Sequence, residues 1–260
     1  MGFRRQRRLR HLGWALAWGA AVFARAADPV LPGAQTTPGR LDTSLAHESR
    51  AALDRGMAWL AVRQRPDGGW AETNRPHLTA LPLLVFCTSP NPAHRPIRAR
   101  AEAFLAPLAP PAQTPAAWAV SALTQQMEHA AAPPAPQPGT RLFRRLAAGG
   151  KPQDPAVQEA YAWIAAHPEV FTPSTLTLAG QEDLLRLAMA LAQAGQNRLP
   201  MADHSLLTWR PRIARTLINR QKIEAAGGGL FWSPDDGRTA EDTLAATCYA
   251  LLTLQVLLAE

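Results

Sequence analysis

The chain is predicted to be all-α and built from helical hairpins, in which an amphipathic first helix covers an apolar second one. Three observations carry this expectation. A helix ending in glutamine, then a tight glycine turn and a tryptophan, occurs at Leu60–Trp70 (Gln64-Arg65-Pro66-Asp67-Gly68-Gly69-Trp70) and returns near the end, where Leu217 and Gln221 precede Gly227-Gly228-Gly229-Leu230-Phe231-Trp232. Each copy is followed by an apolar stretch free of Asp, Glu, Lys and Arg, at 78–93 and at 243–259. The remainder is rich in Ala and Leu and lacks short β-branched alternations, so little strand is expected. Hairpins of this kind bury their apolar faces by stacking, which implies two concentric layers with the second helices inside: an α/α toroid or an open arc of one.

The elements follow in order. Residues 1–26 read as an export signal peptide: Arg4, Arg5, Arg7, Arg8 and Arg10 form a basic head, Leu12 to Phe23 an apolar middle, and Ala24-Arg25-Ala26 a small-x-small cleavage pattern. The apolar part falls short of the roughly 20 residues that a spanning helix needs, so a retained anchor is the weaker reading. The paired arginines would permit twin-arginine export, but no Ser or Thr precedes them and the general route is favoured. Residues 27–41, with Pro29, Pro32, Gly33, Pro38 and Gly39, read as a flexible leader. Residues 42–260 are read as a single repeat domain.

Helix is expected from near Ser44, with Leu45, Leu53, Met57 and Leu60 on one stripe and Gly56 leaving room for a neighbour. Pro66-Asp67-Gly68-Gly69 stops it. The inner helix that follows is expected to start near Thr79, because Pro82 is best accommodated in a first turn. A second hairpin is expected at Ile97 to Leu105 and from Pro115 to about Glu128. Residues 130–139, with Pro133, Pro134, Pro136 and Pro138, form a proline-rich spacer. A short basic amphipathic stretch around Leu142 to Leu146 comes next. Helices follow at Ala156 to Ala166, at Glu182 to Ala194 (ended by Gly195) and at Trp209 to Gln221. The final helix begins after Thr239, in a capping box with Asp242.

Composition narrows the function classes. The signal holds six of the 27 basic residues and no acid, which leaves 21 basic against 20 acidic residues in the mature chain. Basicity therefore resides in the signal, and nucleic acid is set aside as a partner. The charge-free C-terminal stretch is interrupted by Thr243, Thr247, Thr253 and Gln255 and reads as a core helix, so no stable membrane span is expected after signal removal. An exported chain, periplasmic or extracellular, meets oxidising conditions. Cys87 and Cys248 could then pair as a disulfide, or stay as two small buried hydrophobes.

The pattern Leu-x-x-x-Gln, Asp-Gly-Gly-Trp, then Thr-x-x-x-Leu-Leu, carried by residues 44–88 and 205–258, resembles the repeat of the squalene cyclase and protein prenyltransferase β-subunit superfamily. The stretch from Asp183 through Leu191 to the final hairpin is similar to secreted bacterial members. The resemblance implies an α/α toroid and makes Leu60, Gln64, Asp67, Gly68, Gly69, Trp70, Gln221 and Trp232 structural. In this reading the glutamine bridges the end of its own helix to the next, and the tryptophan covers the turn.

The catalytic features of that superfamily are absent from this sequence. No Asp-x-Asp-Asp acid motif and no Asp-Asp-x-x-Asp magnesium motif is present. The acidic pairs are Glu182-Asp183, Asp235-Asp236 and Glu241-Asp242, and the middle one is expected in a solvated turn. Prenyltransferases place a zinc-ligating histidine before a Thr-Cys-Tyr stretch. Here Thr247-Cys248-Tyr249 follows Ala246, so no metal or other cofactor is expected. His77, Asp183, Asp242 and Tyr249 are candidates for the rim or wall of a ligand cavity, against the plainer reading of Asp183 and Asp242 as helix caps.

The function expected is a secreted toroid repeat protein acting as a non-catalytic scaffold for an apolar small molecule or a protein partner. The alternatives are a terpenoid cyclase-like or prenyltransferase-like enzyme, and after it a glycan-acting α/α-toroid enzyme. A cyclase needs a closed apolar cavity with a buried acid, and a glycan enzyme an open groove with opposed carboxylates.

Overall fold

The computed structural model describes residues 40–110, 113–129, 138–201, 205–224 and 229–259. Residues 1–26, expected to be a signal peptide, nearly all of the expected leader and positions 130–137 of the expected spacer lie outside them. Among the described residues the chain is mostly helical, with nine α-helices and two ladders of two-residue strands. It divides into two compact units, one of residues 60–129 and the other of residues 40–59 together with 138–259.

In the first unit, α2 (Arg75–Cys87) packs against α3 (Arg95–Leu105) and α4 (Pro115–His129). Every residue of α2 from Leu78 to Phe86 is buried, including Leu83 with none of its surface exposed. An uncharged stretch tolerates this because it brings no unpaired charge into the core. The helix begins four residues earlier than the sequence suggests. Pro76 takes the first-turn position that suits a residue without an amide hydrogen, and Asn74 caps the end in a left-handed conformation (φ 40°). Pro82 is consequently an interior proline, a residue that costs about 3 kcal/mol in an exposed helix. Burial of the whole segment offsets that cost.

In the second unit, α7 (Leu178–Gln193) packs against both α5 (Pro138–Ala147) and α9 (Ala240–Leu258). The helices α6 (Pro155–Ala166) and α8 (Trp209–Asn219) cover α5 and α9 respectively. Helix α9 buries thirteen residues, Leu251 completely. Its N-terminus is the expected capping box: the Thr239 hydroxyl accepts from Asp242 N at 3.0 Å while Asp242 Oδ2 accepts from Thr239 N at 3.0 Å. Pro138 and Gly139, read from sequence as the end of the spacer, open α5 instead. Helix α7 also starts before its expected boundary, at Leu178, because Thr177 accepts from Gly180 N and Asp236 Oδ1 accepts from Leu178 N at 2.8 Å. It ends as expected at Gly195, whose φ is 67°.

Most of α1 (Thr43–Ala61) belongs to the second unit. Gly56 faces α9: a Cβ there would lie 2.6 Å from Leu251 Cδ2 and 3.0 Å from the Trp232 ring, so the close approach foreseen for this glycine is made. Trp59 stacks on Phe231 at 5.5 Å between ring centroids. The ladders lie between helices, Leu199–Pro200 with Leu206–Leu207 and Lys222–Ile223 with Leu230–Phe231, both antiparallel. Alternation is not readable over two residues, which is why no strand was expected there.

Candidate functional site

The first motif turn is built around its glycines and its amide. Gly68 has φ 93°, and a Cβ on it would sit 2.2 Å from the Arg100 carbonyl oxygen of α3, so both conformation and space require glycine. Asp67 Oδ1 accepts from Gly69 N at 3.1 Å and its other oxygen pairs with Arg75. The bond from Gly69, seconded by Arg75, holds the Asp67 carboxyl below the usual carboxylate range. Gln64 donates to Gly68 O at 3.1 Å and to Ile97 O at 2.9 Å, while its Oε1 accepts from the Arg100 guanidinium at 2.9 and 2.5 Å. One side chain thus ties the end of α1 to its own turn and to α3. Trp70 stacks on Phe86 and donates from its indole to Leu60 O at 2.8 Å.

The second motif turn repeats the indole bond. Trp232, almost wholly buried, donates to Leu217 O at 2.8 Å, and its backbone N–H donates to the Thr247 hydroxyl of α9 at 3.1 Å. Gln221 does not make the bridge expected of it, for its Nε2 is buried without a hydrogen-bond partner. Arg220 does the bridging instead, pairing with Asp235 at 2.9 Å and donating to Pro173 O and Ser174 O at 3.0 and 2.5 Å.

The cavity candidates are placed in different settings. His77 lies in the first turn of α2 in the first unit, half-buried, and burial pushes its imidazole below the usual histidine value. Asp183, Asp242 and Tyr249 lie in the second unit. Asp183 stands in the second turn of α7, and its carboxylate caps a neighbouring helix: it accepts from Thr140 N at 2.6 Å, Thr140 Oγ1 at 2.8 Å and Gly139 N at 3.1 Å, all at the start of α5. A Cβ on Gly139 would meet the Asp183 carbonyl at 2.2 Å, so the two helices touch backbone to backbone there. Arg186 closes the cluster, donating to Thr140 Oγ1 at 2.8 Å and to Glu182 at 2.6 Å. Burial pushes both carboxyls up, while Arg186 and, at Asp183, the hydrogen bonds from Thr140 and Gly139 pull them down.

Asp242 serves its own helix in the capping box. The bond from Arg238 N, at 2.9 Å, is the main cause that lowers its carboxyl. Tyr249 is buried in the middle of α9, where its carbonyl accepts from Thr253 Oγ1 at 2.7 Å. The Asp235-Asp236 pair is exposed, as expected of its turn, yet both carboxylates are engaged: Asp235 Oδ2 accepts from Leu176 N at 2.5 Å, and Asp236 caps α7.

Cys87 and Cys248 are free thiols, so the disulfide that the sequence permitted is not formed. Burial pushes Cys87 up to about 12 and Cys248 well above its ordinary value, which leaves both as inert hydrophobes. Among the described residues no three His, Cys, Asp or Glu side chains are grouped to hold a metal ion, and no helix is long and apolar enough to cross a membrane.

Several residues that matter here carried no sequence signal. Thr140 and Arg186 belong to the buried cluster but to no motif. Arg210, on α8, reaches across to donate to Val256 O and Leu257 O at 2.9 and 3.1 Å, satisfying the end of α9; burial lowers its guanidinium to about 10. Comparison with protein-family models, curated proteins and solved structures found no match.

Proposed function

We propose that the chain is an exported α/α-toroid repeat protein of the squalene cyclase and prenyltransferase type, serving as a non-catalytic scaffold for an apolar small molecule or a protein partner. The observation that carries this reading is the employment of its acidic pairs. Asp183 caps α5, Asp236 caps α7, Asp242 caps α9, and Asp235 is held by Leu176 N and Arg220. A carboxyl that must deliver a proton to a double bond, or hold a diphosphate-bound cation, has to face the substrate with free oxygens. All four accept from backbone amides, and Asp183 does so through both of its oxygens.

Two further features support the architecture. The indole-to-leucine bond recurs at both motif copies, as a shared repeat would require. Within the second unit, Gly56 of α1 leaves room for Leu251 and Trp232, the close approach that a stacked hairpin needs.

The test is native mass spectrometry of the exported protein combined with lipid extraction. A stoichiometric protein partner, or an apolar molecule that leaves unchanged after incubation, is the expected result. Turnover of a co-purifying isoprenoid would transfer the chain to the enzymes. N-terminal sequencing of the mature protein should begin at Ala27, and recovery of the uncleaved chain in the cytoplasm would overturn export.

A further inference from the structure

In the first unit, between the end of α2 and the start of α3, lies an open cleft of about 270 Å³. Phe86 and Pro90 supply its apolar wall, and Ser89, Asn91, His94, Arg95 and Arg98 its polar one; none of the lining residues is acidic. The polar wall is ordered by its own hydrogen bonds. Ser89 Oγ lies 2.6 Å from His94 Nδ1 and accepts from Asn91 N at 3.3 Å, while Asn91 Oδ1 accepts from Ala93 N at 3.0 Å. The His94 ring also meets the Phe86 ring edge-on at 5.1 Å. These bonds fix the loop against the apolar wall.

The two guanidiniums are not neutralised to match. Arg95 is exposed and has no carboxylate partner among the described residues. Arg98 has only Glu102, at 3.6 Å and with both side chains well exposed, a distance and setting that hold little energy. Two guanidiniums on one side of a cleft suit a tetrahedral dianion, which offers more acceptor oxygens than a carboxylate and balances both charges. The volume lies just under the range of about 300–1,000 Å³ usual for drug-sized ligands, so the occupant is small.

We propose that this cleft binds a phosphate-type oxyanion, free or carried on a small monoester whose organic group rests against Phe86 and Pro90. The site lies within one unit and does not depend on the toroid or scaffold reading above.

Isothermal titration calorimetry of the mature chain at constant ionic strength, with inorganic phosphate in one arm and phenyl phosphate in the other, tests it. Saturable binding of one equivalent is expected. Equal affinities point to free phosphate, and tighter binding of phenyl phosphate to a monoester. Replacing the paired arginines one at a time, Arg95→Gln and Arg98→Gln, should each weaken binding about tenfold, the ordinary loss for a charge-assisted hydrogen bond. Glu102→Gln should tighten it by releasing Arg98.

As a control, Arg212→Gln with Arg215→Gln removes two exposed charges from α8 in the other unit and should leave binding unchanged. All these positions are at least partly exposed, and circular dichroism will show that the variants keep their helices. Absence of saturable binding overturns the proposal. So does an equal loss in the α8 control, which would mean diffuse attraction to net charge.

Discussion

In the turn after α1, the glutamine, the glycine and the tryptophan of the motif all bind: Gln64 to two carbonyls and a guanidinium, Gly68 against the Arg100 carbonyl, Trp70 to Leu60. In the turn after α8, the glycine and the tryptophan do the same. Gly229 (φ 106°) lies against the Arg55 carbonyl, where a Cβ would come within 2.7 Å, and Trp232 binds Leu217. Only the glutamine fails there, with the Gln221 amide buried and unmatched. The difference separates what the motif requires from what it merely permits. An indole can reach a carbonyl across turns of different length because the ring spans the turn itself, whereas a side-chain amide needs acceptors at fixed places.

The largest break should come from the shared part. Trp232→Ala removes a buried indole that touches Gly56 and carries the bond to Leu217, and should destabilise by about 3–5 kcal/mol in urea unfolding. Trp70→Ala should cost a similar amount at its own turn. If either variant lost less than about 1 kcal/mol, the indole bond would not be what holds the turn.

Next come the glycines. Gly68→Ala must accept both a left-handed conformation and an overlap with the Arg100 carbonyl at 2.2 Å, and should cost about 2–4 kcal/mol. Gly229→Ala meets its neighbour at a longer distance and should cost less. Equal costs would show that backbone conformation alone, the same in both turns, decides the effect.

What could be read in advance divides along the same line between local and distant causes. The Gly68 turn, the close approach at Gly56, the box at Thr239 and Asp242, and the apolar helices around Leu83 and Leu251 are local patterns, and each is found where periodicity and turn chemistry put it. The misplaced boundaries have distant or competing causes. Helix α7 begins at Leu178 because Asp236, from beyond α8, caps it, and α5 begins at Pro138 because Asp183 reaches its first amides. The sequence suggests a first-turn place for Pro82, a role that Pro76 fills in the structure. Of the site candidates, Asp183 reads from sequence as a cap of its own helix; it lies instead in the second turn of α7 and caps α5, a contact between segments distant in the chain. The cleft of Ser89, His94, Arg95 and Arg98 combines ordinary residues in no recognised pattern, and only the fold of the loop brings them to one wall.

The two glutamines sharpen the comparison most directly. Gln64→Ala strips a partner from two carbonyls and from Arg100, and leaving such groups unmatched should cost about 1–3 kcal/mol. Gln221→Leu removes an amide that is already unmatched, and should be neutral within about 0.5 kcal/mol or stabilising. Unfolding of the two variants side by side decides the matter. A comparable loss at both positions would mean that Gln221 finds a partner in solution and that the second copy is a full latch after all.

The smallest effect belongs to the helix that each latch serves, and it depends on pH. Thr239→Ala opens the capping box of α9 and should cost about 1 kcal/mol, whereas no side-chain cap exists at Asn74 of α2 to be lost. Asp242 is the charged half of that box. Its carboxyl lies below the ordinary value because Arg238 N and the Thr239 groups bind its ionised form. A depressed acid adds stability that is complete above its unfolded value and disappears as pH falls through the folded one. Thermal unfolding of the parent chain between pH 7 and about pH 3 should therefore show an acid-side decline that Asp242→Asn flattens in part. If the two curves stay parallel over that window, the carboxylate gains nothing from the cap, and the neutral Thr239 hydroxyl holds the end of α9 alone.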